Sequence, residues 1–101
     1  QQPGSGSGWG PEMTERSLLI INEKGLHARA SAKFVECVEG YDASAEVTKD
    51  GMTVSGDSIM GLLMLAASRG STIDVRTSGN DAVVLVDALT ALVANRFGED
   101  Y

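Results

Sequence analysis

The sequence predicts an α+β fold: an open-faced sandwich, a four-stranded antiparallel sheet with three helices on one face, in the order β-α-β-β-α-β-α. Three observations lead there. The apolar pattern switches repeatedly between alternation and helical spacing. The strand segments are short and the helical segments amphipathic, so one sheet with every helix on the same side is the economical way to bury both kinds of face. Finally, 101 residues, 43% of them apolar, suffice for one core but not for two lobes around a cleft.

The elements follow in order. Ser17-Leu18-Leu19-Ile20-Ile21-Asn22 is an apolar run rich in β-branched residues and reads as the first strand, broken by Glu23-Lys24-Gly25. From His27 to Glu39 the spacing is helical: Ala30, Ser31, Phe34 and Val38 share one face, Arg29, Lys33 and Glu36 the other, and Gly40 is the expected stop. Ala43 to Lys49 alternates, Asp50-Gly51 signals a tight turn, and Met52-Thr53-Val54-Ser55 completes a hairpin. Ser58 suits the N-cap of a short helix reaching about Ala67, with Leu62, Leu65 and Ala66 toward the sheet and Gly70 ending the segment. Thr72 to Thr77 alternates as the fourth strand. Ser78-Gly79-Asn80-Asp81 opens a last helix to about Phe97, with Leu85, Leu89, Leu92 and Val93 as its buried stripe.

Residues 1–12 read as a tag or linker, because Gly4-Ser5-Gly6-Ser7-Gly8 is flexible-linker composition flanked by Pro3 and Pro11. The domain is then residues 13–101, starting at Met13. With 14 acidic and 8 basic side chains the formal charge is −6, and no Lys/Arg cluster exists to displace counterions, which argues against nucleic acid as partner. The single cysteine, Cys37, excludes an internal disulfide and suits a small core position in a reducing, cytoplasmic setting. The longest apolar run, Leu62 to Ala67, is far short of the roughly 20 residues a bilayer span requires. No basic segment followed by an apolar stretch opens the chain, so no signal peptide is read.

The chemistry concentrates at one place. His27 is the only histidine, so a two-histidine metal site is impossible, and no metal or cofactor is expected. No nucleophile-elbow signature accompanies it. It stands at the N-cap of the first predicted helix, whose free N–H groups at Ala28, Arg29 and Ala30 form a ready anion site. Arg29 adds a planar cationic fork suited to phosphate oxygens. The small residues Ala28, Ala30 and Ala32 leave room for another protein to close over the imidazole. The helix terminus and Arg29 should both disfavour the imidazolium, which has no lone pair to attack with. The same spacing also fits a histidine that merely caps a helix beside a solvated Arg29, and the residues alone do not choose.

On the helix after Ser58, Met60 and Met64 are four apart and point away from the sheet. With Ile59 and Leu63 beside them they form a candidate docking patch, methionine suiting a surface that accepts several partners. Ordinary exposed apolar surface, or cover by the last helix, would explain them equally. A phosphate on Ser58 would be welcome at a helix N-terminus but would set about two negative charges beside that patch.

Gly25-Leu26-His27-Ala28-Arg29-Ala30-Ser31-Ala32-Lys33-Phe34-Val35 resembles the active-site segment of the HPr family, histidine phosphocarriers of the bacterial phosphoenolpyruvate-dependent phosphotransferase system. Ser58-Ile59-Met60-Gly61-Leu62-Leu63-Met64-Leu65-Ala66 is similar to that family's second signature, and the resemblance runs in register from Met13 to Tyr101. Leu62 to Leu65 and the tail Phe97-Gly98-Glu99-Asp100 look closest to the nitrogen-related, NPr-type branch. The resemblance implies that His27 takes a phosphoryl group on Nδ1 from phosphorylated enzyme I and hands it to an enzyme IIA-type protein, with Arg29 as the active-site arginine. It also implies that Ser58 matches the serine modified by HPr kinase/phosphorylase in some bacteria. It further implies a monomeric carrier, a phosphotransferase component rather than a free-standing turnover enzyme. Two departures stand out. Ala30 replaces the family's usual proline and adds an N–H donor, and Glu36 and Glu39 stand where sugar-branch members often carry basic residues. The rival reading is a regulatory binding module phosphorylated on Ser58 without histidine chemistry; a small-molecule binder would want a pocket that so short a chain has little volume to build.

Overall fold

Alternation along the strands sets which side of the sheet is covered. A computed structural model describes residues 12–101. Its elements are β1 (Glu12–Leu19), α1 (Ala28–Glu39), β2 (Ser44–Lys49), β3 (Met52–Ser55), α2 (Ile59–Met64), β4 (Thr72–Gly79) and α3 (Ala82–Ala94), with a 3-10 turn at Arg96–Gly98. The strands form one antiparallel sheet in the order β1-β4-β2-β3. On β4, Ile73, Val75 and Thr77 are buried while Thr72, Asp74 and Arg76 are exposed. Across the ladders Val75 faces Val47, and Val47 faces Val54, so one face presents a β-branched row to the helices. On the open face Arg76 lies between Glu15 and Glu46, at 3.8 and 4.0 Å.

The helices answer with matching stripes. α1 buries Ala30, Ser31, Phe34, Val35 and Val38; α3 buries Ala82, Leu85, Val86, Leu89 and Val93. Phe34, Phe97, Leu62, Ile73, Leu85 and Leu89 are fully buried, each such side chain contributing about 1.5–3 kcal/mol relative to exposure. This is the open-faced α+β sandwich that the sequence predicts.

Three elements differ from the sequence reading by more than two residues at an end, and β4 runs on through Ser78 and Gly79, which the sequence reading assigns to the opening of the last helix. The first strand covers Glu12–Leu19 rather than 17–22, because its polar residues find partners on the covered face. The Thr14 and Thr77 hydroxyls bond each other, and Arg16 Nη1 donates to Asp87 Oδ1 (2.9 Å) and Thr90 Oγ1 (3.0 Å) on α3. The second helix stops at Met64 instead of Ala67. Ala66 is left-handed at φ 51° and exposed rather than facing the sheet, a turn that buries both Leu65 and Ala67 and offers the Ala67 carbonyl to Leu26 N–H at 2.8 Å. The last helix ends at Ala94, and Phe97 belongs to the separate turn. Of its expected stripe Leu92 is only half-buried, while Val86 joins it. The division assigning residues 1–12 to a tag lies outside the described residues, except that Glu12 opens β1 opposite Gly79.

Candidate functional site: the imidazole at the start of the first helix

The loop before α1 is built around a close approach that only glycine allows. Gly25 has φ 67°, and a Cβ there would lie 2.5 Å from the Ala67 carbonyl oxygen. The next residue donates its N–H to that same oxygen, so the segment entering α1 is fastened to the turn after α2. His27 then adopts an extended conformation (φ −81°, ψ −176°) and serves as the N-cap. Its carbonyl accepts the first helical bond from Ser31 N–H at 2.8 Å. Its Nδ1 accepts from Arg29 N–H at 3.3 Å.

That last contact defines the state of the ring. An N–H aimed at Nδ1 requires a lone pair there, so the neutral imidazole carries its proton on Nε2. Nε2 in turn lies against the Glu99 carboxylate, which is 7% exposed beside a His27 side chain that is 26% exposed. The carboxylate is held from its other oxygen: Asn22 Nδ2 donates to Glu99 Oε1 at 3.0 Å and to Gly25 O at 2.8 Å. Burial works against charge on Glu99, but the hydrogen bonds from Asn22 and His27, with the positive charge of Lys24 and of His27 whenever the ring is protonated, outweigh it and hold the carboxyl below its ordinary value.

Glu99 arrives through the end of the chain. After α3 the backbone takes two consecutive left-handed residues, Arg96 (φ 56°) and Phe97 (φ 55°). Phe97 is wholly buried, and its carbonyl accepts from Lys33 Nζ of α1 at 2.9 Å. Sequence reasoning missed Glu99, Asn22 and this anchor. The contact spans 72 positions, and a capping pattern reports only neighbours.

The other predicted positions are placed as follows. Ala28 and Arg29 are exposed, Ala30 is buried and Ala32 half-buried. The Arg29 guanidinium makes no ion pair among the described residues. Ser58 caps α2, its Oγ accepting from Gly61 N–H at 3.0 Å. Ile59, Met60 and Met64 are exposed, the two methionines by 69% and 63%, and Leu63 is half-buried. Cys37 is half-buried, and burial pushes its thiol up, which suits a packing role better than a nucleophile's. Among the described residues no group of His, Cys, Asp or Glu could hold a metal ion, and no helix is long and apolar enough to cross a membrane.

These features define a class: a small open-faced sandwich whose single imidazole, partly exposed, caps a helix N-terminus with its Nδ1 lone pair against the first-turn N–H groups. Comparison with known proteins gives the family. The family model for the "PTS HPr component phosphorylation site" matches residues 14–95. Phosphocarrier protein HPr of Cupriavidus necator is 47% identical over 87 residues, covering 86% of this chain and 98% of that protein. Phosphocarrier protein NPr of Shewanella violacea is 39% identical over 85 residues, covering 84% and 93%. Among solved structures, an HPr from Thermoanaerobacter tengcongensis superposes with a TM-score of 0.83 at 34% identity, covering 87% of this chain and 99% of that one. The chain belongs to the HPr family of phosphocarrier proteins of the phosphotransferase system.

Proposed function

We propose that His27 accepts a phosphoryl group on Nδ1 from phosphorylated enzyme I and delivers it to an enzyme IIA-type protein in a nitrogen-related, regulatory system. The observation that carries this reading is the pairing of the two ring nitrogens: Nε2 is committed to Glu99, while Nδ1 keeps its lone pair beside Arg29 N–H. A group bonded to Nδ1 therefore sits against the first turn of α1, where the N–H groups of Ala28 and Ala30 have no intrahelical acceptor.

In the transfer, the Nδ1 pair forms a bond to phosphorus while the donor's bond to phosphorus breaks, its electrons leaving with the donor. Charge on the phosphoryl oxygens is met by the first-turn N–H groups and by Arg29, a contribution of positioning and electrostatics rather than acid–base machinery. Ala28, Ala32 and the patch of Ile59, Met60, Leu63 and Met64 are the surfaces that dock donor and acceptor; α1 and α2 pack side by side, which sets the patch next to the helix presenting His27. Ser58 is the regulatory site for an HPr kinase/phosphorylase, because a phosphate there adds charge beside exposed Ile59 and Met60. Exposed Glu36 and Glu39 on α1 support the nitrogen-related assignment by disfavouring acidic sugar-system partners.

The test is labelling by phosphoenolpyruvate plus enzyme I. Wild type should take up one acid-labile phosphoryl group and His27→Ala none; persistent labelling of His27→Ala overturns the reading, and an acid-stable label points to the serine-modified binding module instead. Faster delivery to a sugar-type IIA than to a nitrogen-type one overturns the branch assignment alone.

A further inference from the structure

We infer that Glu99 is a positioning residue for the phosphoryl chemistry of His27: it keeps a proton on Nε2 in both the free and the phosphorylated ring. The inference rests on His27 being the phosphoryl acceptor.

The geometry is specific. Of the ring's two nitrogens, one meets an N–H donor and the other a carboxylate, so the ring can satisfy both neighbours in only one protonation pattern. The carboxylate is not a loose surface group. It is fixed by Asn22, itself fully buried, and by Phe97, two residues earlier in the core. The segment beyond it is held too, with Lys24 Nζ lying 5.2 Å from the centre of the Tyr101 ring. Lys24 on the preceding turn is the cation whose charge bears on Glu99, Arg29 meets the ring through its backbone N–H, and Glu99 is the carboxylate that contacts the ring.

The consequence appears in both directions of transfer. On loading, the Nδ1 pair bonds phosphorus, the donor departs with its own pair, and the ring becomes positively charged with Nε2–H retained against Glu99. On unloading, the nitrogen–phosphorus bond breaks, its pair returns to Nδ1, and the ring leaves as neutral imidazole. Without the Nε2 proton it would have to leave as an imidazolate anion, a far poorer leaving group. Glu99 thus makes Nδ1 the nucleophile and keeps the phosphoryl group transferable.

The test uses the full chain phosphorylated by phosphoramidate, a small donor that needs no protein partner. Phosphorus and nitrogen NMR then report which ring nitrogen carries phosphorus and how fast it is lost across a pH series. Wild type should carry the label on Nδ1. Glu99→Ala should carry a substantial share on Nε2, which is no longer covered. Glu99→Gln, whose amide oxygen still accepts from Nε2–H but lacks the charge, should keep the label on Nδ1. Without the facing negative charge its ring proton should be lost more readily, so that loss of the phosphoryl group at mildly alkaline pH is severalfold slower than in wild type. Glu99→Asp should restore part of the wild-type profile. Urea unfolding of each variant confirms the fold, and Glu99→Gln and Glu99→Asp carry the test if Glu99→Ala does not fold. Label on Nδ1 in every folded variant with superimposable pH profiles overturns the inference, while leaving the enzyme I labelling result, and with it the role of His27, untouched.

Discussion

Replacing Gly25 with alanine tests whether the turn after α2 positions the imidazole. Two costs can be read from the structure. The φ of 67° places a Cβ-bearing residue in the left-handed region, at about 1–2 kcal/mol. The added methyl also lies 2.5 Å from Ala67 O and 2.8 Å from Ser68 Cα, both backbone, so the two segments must part by about 1 Å to regain ordinary contact. That parting stretches the 2.8 Å bond from Leu26 N–H to Ala67 O, worth about 0.5–1.5 kcal/mol. Together the loss is about 2–3 kcal/mol, which for a domain of this size lowers Tm by on the order of 10–20 °C. Gly51 supplies the control. Its φ is 84° but nothing lies within 4 Å of its would-be Cβ, so Gly51→Ala carries the conformational cost without the collision. Urea unfolding and the rate of phosphorylation by enzyme I would be measured on both variants. Because His27 is two residues from Gly25, a shift near 1 Å should slow transfer by up to about 100-fold, with Gly51→Ala unaffected. Equal destabilisation by the two substitutions, with full transfer rate in Gly25→Ala, would refute the reasoning.

Two further outcomes follow from the same geometry. Met60, 69% exposed, makes little of the core, so Met60→Glu should leave unfolding within about 0.5 kcal/mol of wild type while weakening enzyme I binding severalfold, as calorimetric titration would show; unchanged affinity would remove Met60 from the docking surface. Acid stability should depend on Glu99. Its folded carboxyl sits below the ordinary value of 4.5, so around that pH the unfolded chain binds more protons, and the stability it contributes is complete above that value and lost as pH falls through the depressed one. The stability gap between wild type and Glu99→Gln should therefore shrink on acidification, and a gap that stays constant from neutral pH to pH 3 would contradict the pairing.

What could be read in the sequence divides by distance along the chain. The capping role of His27 was legible because a cap is a local event: Nδ1 needs only to reach the N–H two residues on, and that contact follows from the extended residue before a helical run. The Asp50-Gly51 turn was legible for the same reason, and both residues do take positive φ, 52° and 84°. Exposed Met60 and Met64 followed from helical period alone. The polar start of β1 was not legible, because Thr14 and Arg16 earn their places through Thr77, Asp87 and Thr90, all more than 60 positions away. Nor was the early end of α2, where burying Leu65 together with Ala67 outweighs the good helix propensity of alanine at Ala66.

Glu99 is the sharpest case, and it shows how the fold enters the chemistry. Nothing local marks it: it follows a three-residue turn and ends no periodic pattern. Its position is dictated by Phe97, whose burial forces the left-handed reversal after α3 and lays the tail across the start of α1, where Lys33 secures it. The imidazole is thus placed by a helix cap, and its carboxylate neighbour by a core side chain acting at a distance through the chain's last turn. A substitution at Phe97, outside any recognisable site motif, alters the protonation partner of His27 without touching the imidazole, because the buried ring fixes the path of the two residues that lead to the carboxylate.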